Sequence, residues 1–255
     1  MARKIVITSG KGGVGKTTLA VHLGIALSKR GFRVVVCDAD FGLNNADVIA
    51  GVENLVNYDI VDVIEGHCRA QQALAKHPSY GNLYVLASHS TPERYVSPQA
   101  LKLVLEDFST KYDFVLIDSP AGVDEGFHRA VACADEAIVV TTPHLPALRD
   151  ADKVVTLLKS YEMQNVTFVA NMVRGDLLVS QETLSFKEIE NLLKIPILGI
   201  VPDAKDLYLN QCSESEKAFK ILANNLLTGK RKFPDVTTRY KGLTGAIRRY
   251  FRNTL

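Results

Sequence analysis

The sequence predicts an α/β fold: a mostly parallel sheet with helices on both faces, followed by a short amphipathic helix at the C-terminus. Three observations lead there. Seven short runs rich in Val, Ile, Leu and Phe alternate with helix-like stretches, the pattern of strands covered on both faces by crossover helices. A glycine-rich loop, "SGKGGVGKTT" at residues 9–18, lies between the first such run and the first helical stretch. The chain of 255 residues, 47% of them hydrophobic, is long enough for one large core and shows no long disordered tract.

In chain order, "KIVITS" opens the sheet, having the length and β-branched content of a buried strand. Residues 16–30 follow the glycine loop as an amphipathic helix. "RVVVCD", "NLYVLA", "DFVLID", "EAIVVTT", "VTFVAN" and "PILGIV" are the remaining strands. Between them, residues 97–110, 148–160, 181–194 and 213–228 read as helices, so residues 1–228 form one domain. From residue 229 to 241 the composition turns basic, with Pro234 inside it, and reads as a linker. Residues 242–255, "GLTGAIRRYFRNTL", set Leu243, Ile247, Tyr250, Phe251 and Leu255 on one side of a helix. Arg248, Arg249 and Arg252 fall on its flank. That segment is too short to cross a bilayer and suits lying in its interface.

The loop carries the chemistry. Gly10, Gly15, Lys16 and Thr17 satisfy G-x-x-x-x-G-K-[ST], and a strand before it with a helix after it is the context the motif needs. Gly12, Gly13 and Val14 let successive backbone N–H groups turn toward a phosphate, and the helix N-terminus adds partial positive charge. Lys16 would neutralise the β- and γ-phosphates, while the Thr17 hydroxyl would ligate Mg²⁺, with Thr18 beside it. Two runs end in carboxylates, "VVVCDAD" in Asp38 and Asp40 and "DFVLID" in Asp118. Strand C-termini of an open α/β sheet face the crevice where ligands bind. Asp118 would hold the metal through water, and Asp38 or Asp40 would orient the attacking water. Lys11, a second lysine directly after the first glycine, is more than the loop itself requires.

These motifs resemble the MinD/ParA family of deviant Walker A ATPases: "KGGVGKTT" its loop, "DADFGLNNAD" its first switch and "DSPAG" its second. The resemblance extends through "VNYDIVDVIEG", "ADEAIVVTTP" and "LSFKEIENLLKIPILGIVPD", and is closest to the branch that positions the bacterial division site. It implies ATP and Mg²⁺ as cofactors and an ATP-dependent homodimer. In that dimer Lys11 contacts the phosphates held by the other subunit. It further implies that Asp38 stands on the metal side, that Asp40 orients water, and that Asn45 lies near the γ-phosphate. Asn171, Pro202 and Asp203 would surround the adenine. Partners implied are an anionic membrane surface, a MinC-like division inhibitor and a MinE-like or scaffold regulator, with Arg149, Asp150 and Asp152 as the candidate partner surface. Cys212 stands where glycine is common in the family, and residues 160–180 match it poorly.

Charge supports the membrane reading. Residues 229–255 hold eight Lys and Arg against one acid, a net +7, which leaves 22 basic and 27 acidic residues, a net −5, in residues 1–228. A basic tail on an acidic body fits anionic lipid better than DNA, which needs a basic body. The alternatives are a DNA-segregating ATPase, a flagellar-number ATPase of the FlhG type, and a nucleotide-dependent membrane adaptor that does not hydrolyse. The four cysteines are scattered without a C-x-x-C pair, which predicts reduced thiols and disfavours a cluster carrier. With no signal peptide ahead of the first strand, the expected location is the cytoplasm, peripheral on the inner face of the cell membrane.

Overall fold

The computed structural model describes all residues except 42–44, 89–95, 205–213, 243, 247, 248 and 250–255. Strands β1 (Arg3–Thr8), β2 (Val34–Asp38), β3 (Leu74–Lys76), β4 (Leu83–Leu86), β5 (Phe114–Asp118), β6 (Glu136–Thr141), β7 (Asn165–Val173) and β8 (Ile197–Pro202) form one sheet. Its order is β3-β4-β2-β5-β1-β6-β7-β8. Every pairing is parallel except β3 with β4.

Alternation along each strand builds two cores. Ile5, Ile7, Val34, Val36, Phe114 and Leu116 point to one face, where α1 (Lys16–Ser28), α2 (Ala46–Ala50) and α9 (Glu214–Thr228) cover them. Val6, Val35, Cys37, Val115 and Ile117 point to the other. That face is covered by α3 (Ile60–Ile64), α4 (Pro98–Glu106), α5 (Glu125–Val131), α6 (Leu145–Leu158) and α8 (Phe186–Leu193). α1 lies so close to the sheet that a Cβ on Gly24 would meet Leu83 and Val36 side chains at 3.0 Å.

The expected strands and long helices are present, with shifted ends. α6 begins at Leu145 and not at 148, with Pro146 in its first turn, where a missing N–H costs nothing. α8 begins at Phe186 and not at 181 because Ser185 caps it: Ser185 Oγ accepts from Glu188 N, and the Glu188 carboxylate accepts from Ser185 N at 2.8 Å. β3, at three residues, and the one- or two-turn helices α2, α3, α5 and α7 (Gly175–Val179) were not expected, being too short to show a period.

The basic stretch read as a linker is docked along part of its length. Val236 packs against the core, Tyr240 is buried, and a Cβ on Gly175 would collide with the Val236 carbonyl oxygen. Beyond it Gly242, Thr244, Gly245, Ala246 and Arg249 are helical, and the Arg249 guanidinium donates to the Tyr240 carbonyl. Leu243, Ile247, Arg248, Tyr250, Phe251, Arg252 and Leu255, on which the amphipathic reading rests, lie outside the described residues, as does Cys212. Among the described cysteines Cys37 and Cys133 are buried, Cys68 is partly exposed, and all are free. No helix among the described residues is long and apolar enough to cross a membrane.

Candidate nucleotide site

The glycine loop joins the C-terminal end of β1, at the centre of the sheet, to the N-terminus of α1. Gly13 and Gly15 have φ of 78° and 88°, in the left-handed region that glycine enters without penalty. Gly15 is also the N-cap of α1, so the loop delivers its N–H groups to the positive end of that helix. Two contacts fix the loop from outside. Asn171 Nδ2 donates to the Val14 carbonyl at 2.8 Å, and a Cβ on Gly15 would lie 2.4 Å from that nitrogen. A Cβ on Gly10 would lie 2.3 Å from the Asp150 carbonyl oxygen of α6.

The two lysines occupy opposite environments. Lys16, the first residue of α1, is buried; burial pulls its ammonium pKa down, against the carboxylates of Asp118 and Asp40. Lys11 is exposed on the outer turn of the loop. Lys16 is therefore held inside its own site, and Lys11 is open to solvent.

Asp38 and Asp118 end neighbouring strands and are register partners across β2 and β5. Both are buried. Burial, then repulsion from Asp38, raises the Asp118 pKa to about 8 despite a hydrogen bond from the Thr17 hydroxyl and the nearby Lys16. Asp118 Oδ1 is buried with no hydrogen-bond partner. A buried orphan oxygen beside a hydroxyl fits Mg²⁺ or its bound water, so the residues suit the metal. Asp38 has work already. Its carboxylate accepts from the backbone N–H groups of Asp40 (2.9 Å), Asn45 (3.0 Å) and Ala46 (3.1 Å), tying the switch loop and the start of α2 to β2. Burial raises its pKa, and these bonds oppose the rise. Among the described residues no three His, Cys, Asp or Glu gather as a metal cage.

Asp40 is half buried, which raises its pKa, with Lys16 and Arg129 acting the other way. Arg129, from α5, stacks on the Phe41 ring at 4.5 Å and donates to the Val96 carbonyl. Asn45 is exposed at the N-cap of α2, its side chain free of any capping bond.

Beside the loop lies a cavity of about 340 Å³, whose lining includes Gly15, Thr18, Asn171, Met172, Pro202 and Asp203. It is the right size for a base and ribose, and it brings Asn171 of β7 together with the adjacent pair Pro202 and Asp203 at the end of β8. Met172 was not anticipated. It sits at φ 53° where β7 slips register against β8, a conformation uncommon outside glycine and often found at ligand sites. Arg129 was missed too; neither residue lies in a motif. On α6, Arg149 and Asp152 are exposed and Asp150 pairs with Lys153 at 3.2 Å. The expected partner surface thus adjoins the first glycine of the loop.

Residues 5–216 match the model of the CobQ/CobB/MinD/ParA nucleotide binding domain. The septum site-determining protein MinD of Thermotoga maritima is 37% identical over 265 residues, covering 98% of each chain. The MinC:MinD cell division complex of Aquifex aeolicus superimposes with a TM-score of 0.83 at 36% identity, covering 91% of this chain and 100% of that one. Pyrococcus horikoshii MinD, solved with Mg-ADP, gives 0.79 at 29% identity over 89% and 97% of the two chains.

Proposed function

The chain belongs to the CobQ/CobB/MinD/ParA nucleotide-binding family, and on that premise we propose that it is a septum-site-determining ATPase. It positions the bacterial division site by recruiting a division inhibitor to the membrane. The observation that carries the mechanism is the opposed placement of the two lysines, Lys16 buried among carboxylates and Lys11 exposed on the loop's outer turn.

Lys16 and the loop N–H groups hold the polyphosphate of ATP, while Asn171, Pro202 and Asp203 enclose the adenine. Thr17 and Asp118 would hold Mg²⁺, with Asp38 acting through water because its oxygens already bind three amides. When bound there, the ion would supply positive charge that offsets the charge of the phosphates. Asp40 orients the water that attacks the γ-phosphorus as its bond to the β-phosphate oxygen breaks, giving ADP and phosphate. Asn45 contacts the γ-phosphate. Lys11 reaches the phosphates of a second subunit, so the homodimer needs the triphosphate. Two loops carrying like charge repel unless that anion lies between them. Turnover is slow alone and rises with membrane and partner.

Lys11→Ala should bind ATP at near wild-type affinity but remain monomeric. Sedimentation in ATP is the measurement, and an ATP-dependent dimer of the variant would sink the trans role.

Membrane attachment is assigned to the tail. Each basic residue near an anionic leaflet contributes about 1 kcal/mol, and ordering a short helix consumes much of the gain. One tail is marginal, whereas two on a dimer gain avidity of roughly a hundredfold or more. The dimer therefore attaches and hydrolysis releases it. Phe251→Glu would put a carboxylate on the apolar side, at a cost of several kcal/mol. In vesicle flotation with ATP the wild type should float and Phe251→Glu should stay in solution, still dimeric. Flotation of the variant with anionic lipid would remove the tail from membrane binding, and ATP-dependent sedimentation of the wild type with DNA instead of lipid would overturn the reading. A MinC-like inhibitor would dock over Arg149, Asp150 and Asp152, beside the loop that senses the nucleotide.

A further inference from the structure

A second cavity, of about 400 Å³, opens between α1 and α9 and is closed from the side by α2 and the turn at residues 77–80. Its volume is within the range of small-molecule sites. Its wall is apolar: Ile25, Ala26, Ile49, Ala50 and Phe219, with the His22 ring stacked on Phe219 at 5.1 Å. Its rim is cationic. Lys29, Arg30 and Lys220 line it against one carboxylate, Glu216, and that carboxylate pairs with Lys29 at 2.5 Å.

Arg30 is under-satisfied. One terminal nitrogen donates to the Lys220 carbonyl at 2.9 Å, the other is buried without a hydrogen-bond partner, and no carboxylate pairs with it among the described residues. His77 adds a donor: its Nδ1 accepts from the N–H groups of Ser79 (3.1 Å) and Tyr80 (3.2 Å), so a neutral ring carries its proton on Nε2. An apolar pocket under a ring of cations and donors, one of them without a carboxylate partner among the described residues, matches a molecule with an apolar body and one anionic group.

We propose that this cavity is a second ligand site, for a small amphiphilic monoanion. It shares two walls, His22 and Ile49, with the cavity beside the glycine loop. His22 is one helical turn beyond Thr18, and Ile49 sits on α2, whose first turn is tied to Asp38. Occupancy fixes α2 and His22 and so shifts nucleotide affinity, with the reciprocal effect required by linkage. The coupling rests on the nucleotide reading above; the site itself does not.

The test is fluorescence titration of the full-length protein with anilinonaphthalene sulfonate and with its uncharged analogue, N-phenylnaphthylamine. One saturable site is expected, preferring the sulfonate. Lys220→Glu, a surface change that leaves the fold alone, and Arg30→Gln should each weaken the sulfonate about tenfold and leave the neutral dye unchanged. Ala26→Phe, which fills the cavity, should remove both. Equal binding of the two dyes, or no loss in Lys220→Glu, overturns the anion site. Dye retained by Ala26→Phe and displaced by Mg-ADP places the probe in the nucleotide cavity and also overturns it. With the site established, a Mg-ADP affinity unmoved by saturating sulfonate overturns the coupling alone.

Discussion

Lys16→Met is expected to lose ATP affinity by at least a hundredfold, equivalent to about 3 kcal/mol. The methionine keeps the apolar length of the side chain, so the buried start of α1 is not emptied. What disappears is the one ammonium inside the loop. Lys16 has already left water and is held beside Asp118 and Asp40, so its charge meets a phosphate without much further desolvation, and charge-assisted bonds there are stronger than on the surface. Lys11, exposed to solvent, is not expected to substitute for it within one subunit. Calorimetric titration with Mg-ATP is the measurement. Affinity within threefold of wild type would refute the assignment of the loop as the phosphate site.

Asp118→Asn should make the nucleotide-free protein more stable, increasingly so as pH rises. The folded-state pKa of Asp118, about 8, stands above the ordinary value of 3.8. Between those limits the folded chain keeps a proton that the unfolded chain has released. The unfolded state then binds fewer protons, and this group's contribution to stability falls as pH rises from about 4 to about 8. Asparagine has no such slope. Urea unfolding without nucleotide should show the variant equal to or slightly below wild type near pH 4, and ahead of it near pH 7 by on the order of a few kcal/mol. Mg-ADP should reverse the order by stabilising the wild type more, because the orphaned Oδ1 is what fits the metal. Parallel stability at every pH would mean that Asp118 is ordinarily ionised and that its burial has little energetic consequence.

The two predictions have one origin. Four ionisable side chains, Lys16, Asp38, Asp40 and Asp118, converge at the ends of three adjacent central strands, β1, β2 and β5. Placing them there costs stability in the free protein, and a bound magnesium nucleotide offsets that cost. The apolar strands behind them make the arrangement tolerable, since Ile5, Val36, Leu116 and their neighbours on both faces are fully buried.

The sequence by itself determined the strands, the loop and its direction. Each is a local matter: a run of β-branched residues such as Ile5, Val6, Ile7 and Thr8 declares a buried strand, and glycines at fixed offsets before a helix declare a phosphate loop. Asp38, Asp40 and Asp118 were legible for the same reason, because a carboxylate directly after a hydrophobic run must emerge at a strand end. The tertiary structure alone decided what depends on which segments become neighbours. Strand order sets β5 between β2 and β1, which buries Asp118 and brings it against Asp38; burial first, then that repulsion, raises a pKa that no local pattern announces. It lays Arg129 beside Asp40 and wedges Asn171 against Gly15. It forces Met172 into a left-handed turn where β7 slips past β8, and it docks Val236 and Tyr240 of the basic stretch onto the body. Local pattern reports what a residue prefers. Desolvation, close approach and charge pairing depend on distance in space, which only the packed sheet supplies.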